Sequence, residues 1–150
     1  MYSRDYQAMA ATVAAPGDRR QRMRAVVDAL WDGLQDAGVS WVGFYLPQGA
    51  EEMVLGPSRN KPTCSPIGMH GICGQGFLQR QPIVVRDVRD LGENYVACDP
   101  RDRSEVVIPL LEADGTCWGV LDLDSLDMDA FDERDVTGLR AVLRAAELTV

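Results

Sequence analysis

The sequence predicts an α+β fold in which helices cover one face of an antiparallel sheet of about five strands. Apolar residues recur at three- and four-residue spacings near both ends of the chain, as in amphipathic helices. Between these segments the period falls to two, and turn residues separate the strands as in hairpins. This order predicts one domain over residues 1–150, with a helical part at 1–38 and the sheet, loops and last helix at 39–150. The uncovered face is free to hold a site.

Local signals place each helix. One helix is predicted over residues 18–37 and stops at Gly38, and an earlier one over residues 3–15 ends at Pro16-Gly17. The closing helix follows Asp132, which is a good N-cap with Asp135 three residues on. A short further helix is expected before the strand at 83–85.

Strands and irregular stretches alternate through the rest of the chain. The predicted strands are residues 40–46, 53–56, 83–85, 105–111 and 116–124. Two long stretches, 57–76 and 87–103, have little periodicity and hold three cysteines. Loops of this length in a compact domain are usually functional or disordered, and their Cys, Tyr and Val content argues against disorder.

Composition excludes several classes of function. The chain has 150 residues with 15 basic and 23 acidic side chains, a net charge of −8 that argues against nucleic-acid binding. The sequence shows neither an export signal nor an apolar run long enough to span a membrane, so a cytoplasmic protein is expected. In that setting the four cysteines point to metal binding, catalysis or packing rather than to structural disulfides.

The first strand has two distinct faces. Alternation directs Val42 and Phe44 to one face and Trp41 and Tyr45 to the other, on either side of Gly43. If the aliphatic face meets the helices, the two aromatic residues flank a gap where a small ligand could lie. Half-buried aromatics that merely fill space are an equally good interpretation of the pattern.

Three acidic residues are predicted to share the face of the aromatic pair. Asp122 and Asp124 alternate with inward leucines, and Glu105 can join them from the neighbouring hairpin strand. Carboxylates at such close range take up protons unless a cation lies among them, and a ligand ammonium would supply that cation. A solvated sheet surface is the alternative for each acid taken alone.

The cysteines fall into two groups. Cys117 lies within a strand and is expected to act as a small buried hydrophobe, whereas Cys64, Cys73 and Cys98 are candidate reactive thiols in irregular stretches. A guanidinium from the segment after Cys98 would lower the pKa of that thiol. The start of a helix at Cys73 would do the same there.

A zinc site is the structural alternative. Cys64, His70, Cys73 and Cys98 offer four suitable ligands, but their spacing lacks the close pairs typical of structural zinc sites. No metal is therefore expected.

With these residues identified, the chain from about Trp41 to Asp135 resembles the free methionine-(R)-sulfoxide reductases, which are GAF-domain enzymes. Glycine-rich and Leu-Asp segments alone would indicate a GAF domain, and the three loop cysteines together mark the reductase branch. The motifs that carry the resemblance are WVGFYL (41–46), VLGP (54–57), KPTC (61–64), GICG (71–74), ACD (97–99), RSEVVIP (103–109), GVLDLDS (119–125) and FDE (131–133).

The resemblance implies a GAF-like sheet of five to six strands and a role for each site residue. Cys98 would be the nucleophile, Cys64 the resolving thiol and Cys73 an auxiliary thiol. Trp41 and Tyr45 would enclose the methyl sulfoxide end, and the acids would hold the amino group of the free amino acid.

The resemblance also implies the reaction steps, the external reductant and the oligomeric state. A sulfenic acid on Cys98 would condense with Cys64, and thioredoxin or a similar dithiol would reduce the disulfide, so no bound cofactor is expected. Family likeness favours a homodimer. A non-catalytic GAF sensor of a small ligand and a thiol redox switch without substrate are the alternatives to the enzyme.

Overall fold

The computed structural model describes residues 2–13, 17–92 and 98–150. Within these residues, six strands form one antiparallel sheet in the order β3-β2-β1-β6-β5-β4, so that β1 and β6 lie at its centre. The strands are β1 (Trp41–Gln48), β2 (Glu52–Arg59), β3 (Ile67–Gly68), β4 (Ile83–Val85), β5 (Ser104–Leu111) and β6 (Cys117–Ser125). The predicted GAF-like α+β sheet is confirmed.

Four α-helices accompany the sheet in the described residues, and side chains cap the two long ones. Asp18 and Gln21 form a capping box at the start of α2, and Asp132 and Asp135 form one at the start of α4, as predicted from Asp132. The helices are α1 (Tyr6–Ala10), α2 (Arg19–Leu34), α3 (Ile72–Gln79) and α4 (Glu133–Ala145).

The structure differs from the prediction mainly at the edges of elements. The first helix spans only Tyr6–Ala10 because Asp5 caps it, and β2 continues to Arg59. The short strand β3 and a 3₁₀ turn at Val88–Asp90 occur within stretches predicted to be irregular. The predicted end of the first helix at 14–16 and the part of the second stretch at 93–97 lie outside the described residues. The domain boundaries stay a prediction.

The two faces of the sheet are buried differently. Helices α1, α2 and α4 cover one face, where Phe44, Leu121 and Leu123 are fully buried in the main core. Burial of each such side chain stabilises the fold by about 1.5–3 kcal/mol. The opposite face, called here the site face, packs Trp41 and Tyr45 into a second apolar cluster that α3 covers. The predicted division of β1 into two faces is confirmed.

A buried ion pair fastens the N-terminal segment to the helical layer. Arg4 Nη1 donates to Asp135 Oδ1 at 2.9 Å and to the carbonyl oxygen of Ala130 at 2.7 Å. The Tyr6 hydroxyl donates to the same Asp135 oxygen at 2.6 Å, and the backbone N–H of Asp132 donates to Oδ2 at 2.8 Å. Both oxygens of this buried carboxylate are therefore satisfied.

Across the described residues, none of the helices has the combination of length and apolar character that crossing a membrane requires.

Candidate active site

Strand register brings the three predicted acids together on the site face. Glu105 of β5 is the direct cross-strand partner of Asp124 on β6, and Asp124 is in turn the partner of Trp41 on β1. One row further along, Asp122 lies between Gly43 and its other partner on β5. Cross-strand partners share a face of the sheet, and so do residues two positions apart on one strand, so the three carboxyl groups face one space.

A cavity of about 500 Å³, including the part open to solvent, lies over these acids. Its walls come from β1, β5 and β6 below, from α3 on one side, and from the loops that carry the cysteines. The lining residues are Tyr45, Thr63, Ile67, Gly71, Ile72, Cys73, Val88, Cys98, Asp102, Glu105, Asp122 and Asp124. The lining combines apolar side chains with a few polar groups, which is typical of sites for small molecules.

Burial and mutual repulsion disturb the ionisation of the acids. Desolvation raises the pKa of Glu105, and it raises the pKa of Asp122 and Asp124 well above the ordinary aspartate value. The charges of Asp124 and Glu105 raise the pKa of Asp122 further. These surroundings favour the protonated carboxyl groups, whereas a cation among the three acids would favour their charged forms.

Asp122 is the most deeply buried of the three acids, with 4% of its surface exposed. Among the described residues, no group forms a hydrogen bond with its Oδ1 atom. The Asp122 side chain interacts with the Cys73 thiol and the Glu105 carboxyl group, but in the described residues no N–H group or cation reaches Oδ1. A buried carboxylate oxygen without such a partner costs free energy, so this atom is open to one.

Cys73 belongs to the first turn of α3 and is 5% exposed. Desolvation and the charges of Asp122 and Glu105 raise the pKa of its thiol well above the ordinary value. The expectation that the helix N-terminus activates Cys73 is wrong, because burial beside acids outweighs the helix dipole. Cys73 is a neutral thiol in the cavity wall.

Cys64 and Cys98 are joined by a disulfide, with their Cα atoms 5.5 Å apart. Cys98 lines the cavity, whereas Cys64 lies on the exposed outer side of the bond. The two loop cysteines that the resemblance pairs are thus brought together across a sequence separation of 34 residues. The Cys98 sulfur thus lies on the side of the cavity that also holds the three acids, and Cys64 is exposed to solvent.

Two basic residues near Cys98, Arg101 and Lys61, are paired with Asp99. Arg101 donates to both oxygens of Asp99 at 3.0 and 2.8 Å, and Lys61 Nζ lies 3.6 Å from Asp99 Oδ2. These contacts hold the pKa of Asp99 well below its usual range. That a guanidinium lowers the pKa of reduced Cys98 stays a prediction.

Trp41 and Tyr45 hold the loop that carries Cys64. The Trp41 indole N–H donates to the carbonyl oxygen of Lys61 at 2.8 Å, and the Tyr45 hydroxyl donates to that of Cys64 at 2.7 Å. The predicted gap over Gly43 is filled, since a Cβ there would collide with the Trp41 ring and lie 2.8 Å from Ser58 Cβ. Tyr45 lines the cavity, and Trp41 borders an adjacent groove.

Several lining residues escaped the sequence analysis, and Asp102 is the most informative. Desolvation and the neighbouring acids Asp99 and Glu105 raise the pKa of Asp102 to about 7. Asp102 borders both the cavity and the groove beside Trp41. No local signal could have found it, because the course of the loop after Cys98 decides where its side chain lies.

The four ligands of the zinc alternative do not come together. Cys64 and Cys98 are in the disulfide, and His70 is exposed. Cys117 lies on β6 and donates through Sγ to the carbonyl oxygen of Gly119 at 3.2 Å.

The chain is similar to several known proteins. The family model for the GAF domain matches residues 17–150. The free methionine-R-sulfoxide reductase of Escherichia coli is 35% identical over 120 residues, which cover 79% of this chain and 69% of that protein. The chain belongs to the free methionine-R-sulfoxide reductase family of GAF-domain proteins.

Other members of this family show how far the likeness extends. The yeast free methionine-R-sulfoxide reductase is 37% identical over 100 residues, which are 65% of this chain and only 55% of the yeast protein. The reduced form of Staphylococcus aureus fRMsr superposes with a TM-score of 0.86 at 31% identity, covering 97% of this chain and 94% of that one. The structure of the Neisseria meningitidis free methionine-R-sulfoxide reductase in complex with its substrate superposes with a TM-score of 0.79 at 31% sequence identity. The superposition covers 96% of this chain and 87% of that one.

Proposed function

We propose that this chain reduces free L-methionine-(R)-sulfoxide to L-methionine, with Cys98 as nucleophile, Cys64 as resolving thiol and a thioredoxin-like dithiol as reductant. The orientation of the disulfide carries the proposal, because Cys98 lies in the cavity and Cys64 lies in solvent. A nucleophile must meet the substrate, and the sulfur that an external thiol attacks must be accessible. The named relatives support the substrate.

The acids explain the choice of a free amino acid. An ammonium group placed among Glu105, Asp122 and Asp124 compensates their repulsion and favours their charged forms. A peptide-bound methionine sulfoxide offers an amide without that charge and leaves the carboxyl groups unpaired. The apolar wall of Tyr45, Ile67 and Val88 suits the methyl and methylene groups.

The first chemical step transfers the sulfoxide oxygen to the protein. The Cys98 thiolate attacks the sulfoxide sulfur, and the protonated sulfoxide oxygen then migrates to the Cys98 sulfur. The S–O bond of the substrate and the transient S–S bond break, so methionine leaves and Cys98 becomes a sulfenic acid. The sulfoxide gains two electrons, Cys98 loses two, and one proton is consumed. Cys73, whose thiol pKa is raised by burial beside the acids, does not compete as nucleophile in this step.

The second step restores the disulfide seen here. The Cys64 thiol attacks the Cys98 sulfur, the S–O bond of the sulfenic acid breaks and water leaves. Trp41 and Tyr45 keep the Cys64 loop close to Cys98 through their two hydrogen bonds. An external dithiol then attacks exposed Cys64 and releases Cys98 as a thiolate.

Turnover of the two epimers tests the proposal. The protein is incubated with racemic free methionine sulfoxide and either a thioredoxin system or dithiothreitol, and each epimer is followed by chiral chromatography. Loss of the R epimer alone is expected, with a decrease of at least about 10³-fold in Cys98→Ser and unchanged turnover in the matched control Cys117→Ser. N-acetylmethionine sulfoxide should be a poor substrate.

Two results contradict the proposal. If folded, reduced protein consumes neither epimer with either reductant, the chain is no reductase and its cavity serves ligand binding alone. If dithiothreitol supports turnover but thioredoxin does not, only the assigned reductant is wrong.

A thiol redox switch is the second candidate, because the disulfide itself would suit it. A switch requires neither the three acids nor stereoselectivity. Oxidation of Cys64 and Cys98 by peroxide, without stereoselective loss of methionine sulfoxide, would favour the switch.

A further inference from the structure

One side of the cavity combines a thiol with two carboxyl groups. Cys73 Sγ, a carboxylate oxygen of Glu105 and one of Asp122 all lie within 4.8 Å of one another. They come from α3, β5 and β6, so three separately packed elements hold them in place. Sequence spacing does not reveal this group, because 49 residues separate its first and last members.

A second observation indicates that this group receives a ligand. Asp122 is 4% exposed, lines the cavity, and has an Oδ1 atom to which nothing in the described part of the chain donates a hydrogen bond. The neighbouring groups are acidic or, in Cys73, only weak donors. A positively charged partner is therefore what this oxygen lacks.

The ligand set discriminates among cations. Mg²⁺ and Ca²⁺ prefer oxygen ligands only, whereas a thiolate beside carboxylates favours Zn²⁺ and related ions. Zinc bonds of about 2.3 Å to sulfur and 2.0–2.2 Å to oxygen place tetrahedral ligands about 3.5 Å apart. Small side-chain rotations would bring the three atoms to that spacing and leave a fourth position for water.

We propose that Cys73, Glu105 and Asp122 bind a divalent cation of the Zn²⁺ class, which occupies the place of the substrate ammonium. The ion satisfies Asp122 Oδ1, takes a thiolate from Cys73 and neutralises the repulsion between the acids. It leaves the bond between Cys64 and Cys98 untouched. That a bound ion inhibits turnover rests on the proposed function, whereas the binding itself does not.

The disulfide form of the protein isolates the site for measurement. Of the four cysteines, all within the described ranges, only Cys73 and Cys117 are free thiols in this form. Oxidised protein is titrated with Zn²⁺ against a chromophoric chelator, and with Co²⁺ to record the sulfur-to-metal charge-transfer band. One ion should bind per chain, and Cys73→Ser and Asp122→Asn should each weaken Zn²⁺ binding by about 100-fold, since even outer-shell changes cost ~10–100-fold. Cys117→Ser is the matched control and should keep both the affinity and the band.

The proposal is overturned if the oxidised wild-type protein binds no Zn²⁺, or if Cys73→Ser binds Zn²⁺ and shows the Co²⁺ band like the wild type. Circular dichroism of each variant establishes that it is folded before titration. Because no substrate or reductant is present, these results stand whether or not the chain proves to be a reductase. Inhibition of turnover by Zn²⁺ is measured afterwards, with a non-thiol phosphine as reductant so that the ion stays free.

Discussion

Two aspartates with almost equal burial lie on opposite sides of the sheet and have opposite surroundings. Asp135 in the helical layer is 6% exposed, and Arg4, Tyr6 and the backbone of Asp132 satisfy both of its oxygens. Asp122 on the site face is 4% exposed, and within the described ranges its Oδ1 has no partner. Equal burial therefore does not imply equal surroundings, and the hydrogen-bond partners of the carboxyl oxygens distinguish the two residues.

The largest expected effect is a difference in the free energy of unfolding between alanine variants of Asp135 and Asp122. Asp135→Ala should lower the free energy of unfolding by about 3–5 kcal/mol, because Arg4 would remain buried without its partner. Asp122→Ala should change it by less than about 1 kcal/mol, since the loss of an unpaired carboxyl offsets the loss of packing. Urea denaturation of both variants makes the comparison. Equal losses of stability would show that Asp122 is structural too.

Adjacent residues of β6 give the next comparison. Leu123→Ala should destabilise the fold by about 3 kcal/mol through a cavity in the helical core and leave KM unchanged. Asp124→Asn should instead raise KM for free methionine sulfoxide about tenfold, the effect of losing one charge-assisted hydrogen bond, with little change in Tm. Kinetics and thermal denaturation on both variants test this, and a KM change in Leu123→Ala would contradict the separation of the two faces.

The smallest expected effect concerns Asp102, whose pKa is raised from 3.8 to about 7 in the folded chain. A carboxyl group with a raised pKa contributes stability that is complete below 3.8 and is lost as pH rises through about 7. As pH rises from 3.8 to about 7, the free energy of unfolding of Asp102→Asn should therefore increase by about 1–2 kcal/mol relative to that of the wild type. Urea denaturation at several pH values measures it. A constant difference between the two proteins would mean that Asp102 does not titrate in this window.

The strands and their faces could be predicted because alternation is a local property. Glu105, Asp122 and Asp124 are separated by up to 19 positions, yet period two and one hairpin suffice to bring them to the same side. The start of α4 after Asp132 could be predicted as well, because a capping box involves only residues that are close in sequence.

Loop residues could not be placed in this way. Asp102 reaches the cavity only because the chain turns at Asp99, and Thr63 does so because Trp41 and Tyr45 hold its loop. The same holds for Cys73. The sequence predicts its helix but not its position above the acids, because that position depends on packing between distant elements.

The position of β6 between β1 and β5 has a consequence for dynamics. Amide protons of Asp122 and Asp124 are in the centre of the sheet and should exchange with solvent deuterium only on global unfolding. The described loop residues 60–66 and 98–103, which carry Cys64 and Cys98, contribute no strand to that centre and should open at lower free energy. Local opening at the disulfide would thus leave the three acids of the central strands in place.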